Sequence, residues 1–129
     1  MATVKPGMFY VPTRDIDAAI AWYREVLGIP FEPKFDCGGD TWMAENHFAD
    51  TPVPRPFLAL IQGPGIGPAA TTVPVAGFNV DDMDSLRERL VRQGGWVGEI
   101  AEGGGARWLR FHDPDGNLLE ANWWEWDHL

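Results

Sequence analysis

Apolar positions along this chain recur with two periods. In Met8-Phe9-Tyr10-Val11 they run together, as in a short strand. From Ile16 they recur at Ala19, Ile20, Tyr23, Val26 and Leu27. That spacing lines one face of a helix. Asp15 stands where a carboxylate can accept the orphan amide protons of a first turn. Gly28 stands where a left-handed residue closes the last. Ile29 to Phe35 is extended in character but is broken by Pro30 and Pro33, so it reads as an edge strand or irregular chain. Gly38-Gly39-Asp40 predicts a turn, Thr41 to Phe48 a strand, and the proline-rich run from Ala49 to Pro56 a loop. Phe57 to Gln62 is again a short apolar strand. Gly63 to Pro74 has no period and is rich in Gly, Pro, Ala and Thr, which makes it a linker.

The pattern then restarts. Val75 to Val80 predicts a strand. Asp82 caps a helix with Met83, Leu86 and Leu90 inward and Arg87, Glu88, Arg89 and Arg92 outward, and Gly94-Gly95 ends it. Trp96 to Ile100 is extended, Glu102 to Gly105 a turn, and Ala106 to His112 a strand. At an offset of 67 residues, Asp15 falls on Asp82, Ala19 on Leu86, Tyr23 on Leu90 and Gly28 on Gly95. Each half therefore reads as strand, helix and three strands. Half of such a chain is too small to bury a sheet face well, so the two should pair. The fold class expected is α+β: two βαβββ modules, about 5–63 and 75–129, in one domain around a cleft, joined by a linker at 64–74. Function is expected in that cleft.

The last hairpin carries the strongest local signal. In His112-Asp113-Pro114-Asp115-Gly116-Asn117, proline presets φ for the second turn position, glycine accepts positive φ, and the Asp and Asn side chains can bond nearby backbone. On the strand that follows, alternation puts Leu118, Glu120, Asn122 and Trp124 on one face. Glu120 is thus a carboxylate among apolar residues, and an enclosed carboxylate needs a partner.

Composition narrows the classes. The chain has 129 residues, 45% of them hydrophobic, enough for a core. No apolar run approaches the ~20 residues of a membrane span. The start, Met1 to Pro6, lacks the basic and apolar regions of a secretory signal, and the single cysteine, Cys37, suits a reducing compartment. Cytoplasmic residence is the expectation. The net charge of −9 argues against nucleic-acid binding, which needs clustered Lys and Arg. It favours cationic partners, or simply solubility. Seven tryptophans fill a core or suit an aromatic ligand.

Val11 to Gly28, with Asp-Ile-Asp-Ala-Ala-Ile-Ala-Trp-Tyr-Arg-Glu-Val-Leu-Gly, resembles the first-helix signature of the vicinal oxygen chelate superfamily. That group holds glyoxalases, bleomycin-resistance proteins and extradiol dioxygenases. Phe111 to Glu120, with Asp-Pro-Asp-Gly-Asn, is similar to its last hairpin. The resemblance implies a cleft between two βαβββ modules. In metal-dependent members it implies His, Gln or Glu ligands on inward strand positions. Carried over, those positions are Met8, Val75, a place near Ala59 where Gln62 is the nearest oxygen-bearing side chain, and Glu120. One ligand in the usual set survives, which does not make a site for a divalent ion.

For Glu120 three roles stay open: a partner of Arg107, Arg110 or a tyrosine hydroxyl; a carboxylate that meets a ligand cation or acts as a base; or a metal ligand. Glu45 and His47 share strand parity and form a weaker metal candidate. His112 is expected to bond locally, His128 to be solvated, and Cys37 to be a loop thiol. Met8, Tyr10, Val75, Asn79, Asn122 and Trp124 should face the cleft with Glu120, and Trp42 and Trp108 are further candidates of undecided facing. Trp123-Trp124-Glu125-Trp126 should dock on the body or on a second subunit. The expected function is a small-molecule-binding protein, expected as a homodimer, that holds an aromatic ligand, cationic ones included, by stacking and charge. No cofactor and no membrane partner are expected. The alternative is a lyase or dioxygenase using a divalent metal at Glu120, and a metal-free enzyme with Glu120 as base is a third course.

Overall fold

The helical spacing from Ile16 folds as its caps dictate. Asp15 is extended, with φ −143°, and its side chain accepts the Ala18 N–H. Helix α1 then runs Ile16–Leu27 and closes on left-handed Gly28. Ile16, Ala19, Tyr23 and Val26 form its buried face. The computed structural model describes residues 2–4, 7–46, 58–68 and 70–125. The chain divides into two units, Met1–Pro68 and Ala69–Leu129.

In the first unit α1 packs on a four-stranded sheet, against its two middle strands. The strands are β1 (Phe9–Pro12), β2 (Phe35–Gly38), β3 (Thr41–Asn46) and β4 (Leu58–Gln62), in the order β1-β4-β3-β2. The β1·β4 pair is parallel and the others antiparallel. Register places Val11 and Ala44 both beside Leu60, and all three are buried. Burying a side chain the size of Val11 or Leu60 contributes about 1.5–3 kcal/mol, and the Ala44 methyl less. The opposite face carries Tyr10, Ala59 and Glu45 in one row.

The second unit repeats the plan. Strands β5 (Ala76–Asn79), β6 (Ala101–Gly103), β7 (Ala106–His112) and β8 (Leu118–Trp124) lie in the order β5-β8-β7-β6, with β5·β8 parallel. Helix α2 (Met83–Gln93) is capped by Asp82, which accepts the Ser85 N–H. Met83, Leu86 and Leu90 are its buried residues, and it packs on β7 and β8. The α+β class and the βαβββ order of each half are as the sequence predicts.

The segment 29–34 is irregular, one of the two forms its prolines allow, because Pro30 and Pro33 withhold ladder donors, and the strand begins at Phe35 and runs on to Gly38, which the sequence places in a turn. A second expectation shifts further. After α2, chain 96–100 makes an isolated bridge, Val97 opposite Phe111, and the strand proper takes in Glu102 and Gly103, which the sequence places in a turn. His47, Phe48, the loop 49–56, Trp126 and His128 lie outside the described residues. Among the described residues no helix is long and apolar enough to cross a membrane.

Candidate functional site

The turn between β7 and β8 sets the geometry of the site. Asp113 is only 5% exposed. Its Oδ1 accepts the backbone N–H groups of Asp115 and Asn117, both at 2.9 Å, and its Oδ2 accepts from Asn117 Nδ2 at 2.8 Å. The Gly116 N–H donates to the Asp113 carbonyl at 3.0 Å, and Gly116 has φ 87°, which a side chain would oppose. Three donors satisfy a buried carboxylate, and the turn is thereby fixed.

A fixed turn fixes register. His112 lies opposite Leu118, Arg110 opposite Glu120, Trp108 opposite Asn122, and Ala106 opposite Trp124. Directly opposed residues share a face. The other face belongs to α2: Leu109, Phe111, Leu119 and Ala121 are buried there, and Arg107 reaches Asp84 of α2 at 3.6 Å. On the face away from α2, β5 adds Gly77 opposite Glu120 and Asn79 opposite Asn122. The Val75 N–H, donating to the Leu118 carbonyl at 2.9 Å, extends that pairing by one step.

Glu120 is not alone on this face. Arg110 Nε donates to its Oε1 at 3.3 Å, and Arg110 Nη1 donates to the Thr72 carbonyl at 3.3 Å. The side chains are 21% exposed for Glu120 and 43% for Arg110. A pair this open is worth about 0.2–1 kcal/mol to stability, so its importance is positional. The Asn122 amide lies over Gly77, where a Cβ would stand 3.1 Å from Nδ2. Trp108 rests its ring edge over Gly103. The His112 ring stacks at a tilt on Trp96, 4.9 Å between centroids.

Of the residues named from sequence, Asn79, Trp108, Glu120, Asn122 and Trp124 share this face, with Val75 at its margin. Trp108, whose facing parity alone left undecided, is among them. Trp42 is not: it lies opposite Gln62 in the first unit, on the face covered by α1. Gln62 Oε1 accepts the Ile16 N–H at 2.7 Å, so the oxygen nearest the expected metal position caps a helix instead. Lys34 Nζ sits 5.1 Å from the centre of the Trp42 ring and 2.8 Å from Asp17 Oδ2. Tyr10, 52% exposed, faces away from α1, and half-buried Met8 precedes β1.

Glu45, the partner proposed for His47, lies opposite Ala59 on the same row as Tyr10. Cys37, expected in a loop, lies in strand β2 and is an exposed free thiol. Among the described residues no group of three or more His, Cys, Asp or Glu side chains could hold a metal ion. Of the groups that matter here, sequence reasoning named Arg110 only as one possible partner of Glu120 and missed Thr72. A separate open depression of about 430 Å³ lies at the other end of this sheet, lined by Glu102, Arg107, Trp123 and Glu125. Its arginine is engaged, with Nε 3.0 Å from Glu102 Oε1, although the angle falls outside hydrogen-bond geometry.

The family model described as Glyoxalase/Bleomycin resistance protein/Dioxygenase superfamily matches residues 5–121. No curated protein matches the sequence. Among solved structures, a glyoxylase/bleomycin resistance protein/dioxygenase domain from Frankia sp. EAN1pec is 24% identical, with TM-score 0.72 over 96% of this chain and 98% of that one. TnmS3, an antibiotic binding protein from Streptomyces sp. CB03234, is 22% identical, with TM-score 0.71 over 96% and 98%. A trypanothione-dependent glyoxalase I of Leishmania major is 20% identical, with TM-score 0.69 over 92% and 86%.

Proposed function

Because the chain belongs to the glyoxalase/bleomycin resistance protein/dioxygenase superfamily, we propose that it is a small-molecule-binding protein that holds an aromatic ligand without the superfamily's usual metal site. The ligand lies against the face of the second sheet that carries Trp108, Glu120 and Asn122. An indole supplies a stacking surface, and a primary amide supplies a donor and an acceptor that fix orientation.

The observation that carries this reading is the Arg110–Glu120 ion pair. Glu120 is the one position that keeps a ligand-type residue when the superfamily's metal set is carried over, and its carboxylate is already met by a guanidinium. A dication placed there would face that positive charge with too few oxygen or nitrogen donors to offset it. The same fold serves TnmS3, an antibiotic binding protein from Streptomyces sp. CB03234. Cytoplasmic residence and a homodimer remain part of the reading, the first supported by the free Cys37 thiol.

Metal analysis of protein purified without chelator tests it directly. The expected result is far less than one divalent ion per chain, with tryptophan quenching by an aromatic probe unchanged by EDTA. One ion per chain, with binding or turnover lost in EDTA, would favour the metal-dependent lyase or dioxygenase instead.

A further inference from the structure

We propose that Arg110 is the specificity-determining residue of this face and that it selects aromatic anions, carboxylates foremost. The inference rests on the binding reading above and adds the charge of the ligand to it.

An acid standing by itself would have called for a cationic ligand. Here that acid is answered from within the sheet, because Arg110 lies directly opposite Glu120 and bonds to it. A cationic ligand would have to displace the guanidinium or sit beside it. An anionic ligand would likewise lie near the Glu120 carboxylate, but the guanidinium is the more exposed member of the pair, 43% against 21%. Arginine carries five N–H donors in a planar fork. The Glu120 carboxylate and the Thr72 carbonyl engage Nε and Nη1. Among the described residues Nη2 has no partner, and the side chain is 43% exposed.

Two acceptors on separate nitrogens hold the guanidinium plane in place before any ligand arrives, which reduces the ordering cost of binding. Trp108 is two residues along the same strand and on the same face, so a flat ring stacked on its indole can extend a carboxylate toward the arginine. Among the described residues paired on this face, Arg110 and Glu120 are the only ones with fixed charge. The face is locally neutral although the chain carries −9. The distant acids act through screened solvent, and of the two charges on the face the positive one is the more exposed.

Titration calorimetry with three probes of one shape tests this: 2-naphthoate, 2-naphthamide and 2-naphthylmethylammonium. The wild-type protein should bind the carboxylate about tenfold or more tighter than the ammonium, as a charge-assisted hydrogen bond implies. R110Q should lose that advantage, weakening the carboxylate far more than 2-naphthamide. R110K, which keeps the charge but not the fork, should fall between. E120Q should keep or tighten carboxylate binding, with Thr72 still holding the arginine. If the ammonium binds tighter than the carboxylate, or if R110Q weakens acid and amide equally, the proposal is overturned while the binding site stands. If none of the three probes binds, the binding reading itself fails, and this inference with it.

Discussion

Asp113 shows how much one side chain can organise. It is buried, accepts three hydrogen bonds, and holds a turn whose geometry decides which residues of β7 and β8 face each other. Replacing it with alanine leaves two backbone amides and the Asn117 side chain without their acceptor. We expect Asp113→Ala to cost about 2–3 kcal/mol, because hydrogen bonds to a charged acceptor are individually strong. Urea denaturation would measure it. A cost under about 0.5 kcal/mol, the usual size of a neutral surface change, would show that the turn holds itself. This residue's role was readable in advance. Asp-Pro-Asp-Gly-Asn specifies the turn, and the turn implies the pairing: Arg110 and Glu120 each stand five residues from Asp115. Counting outward from the turn would also have settled the facing of Trp108, opposite Asn122. What alternation alone could not decide is whether Glu120 meets Arg107 or Arg110; the count outward from the turn decides it for Arg110.

At the scale of elements, both helices obeyed their caps and spacing, and the long strands β7 and β8 obeyed alternation. The failures fall on short edge strands. Prolines and glycines there weaken any period, and pairing is settled by the neighbouring strand. A second kind of information was also out of reach. The first turn of α1 has donors capped from two directions: Asp15 accepts the Ala18 N–H locally, and Gln62 accepts the Ile16 N–H from 46 residues away. The first is a sequence motif and the second a product of the fold. Asp15→Ala should cost about 1 kcal/mol, an ordinary N-cap loss. Gln62→Leu should cost about 1–2 kcal/mol, since it strands a part-buried amide. Thermal unfolding of each variant checks this, and a neutral Gln62→Leu would mean that water replaces the glutamine. That distant cap also explains why Gln62, an acceptable metal donor on paper, has its oxygen directed at a helix end.

At the scale of the whole molecule, the 67-residue offset between helices announced a duplicated plan, and each unit delivers it with the same strand order. The duplication is in backbone and core only. The row of Tyr10, Ala59 and Glu45 in one unit has no guanidinium, whereas the corresponding face of the other carries Trp108, Arg110, Glu120 and Asn122. Core positions are set by burial and so repeat. Far-face positions are free to diverge, which is why helix and strand patterns revealed the architecture but not the chemistry.

The Thr72 carbonyl belongs to the stretch of chain that leads from β4 to β5, and Arg110 grips it. An occupant bonded through the unengaged Nη2 leaves that grip in place and steadies it. The connecting stretch would then act as a tell-tale of occupancy: with 2-naphthoate bound, deuterium should enter the backbone around Thr72 more slowly, together with β7 and β8. Faster exchange around Thr72 would mean that the arginine gives up its own chain to reach the ligand.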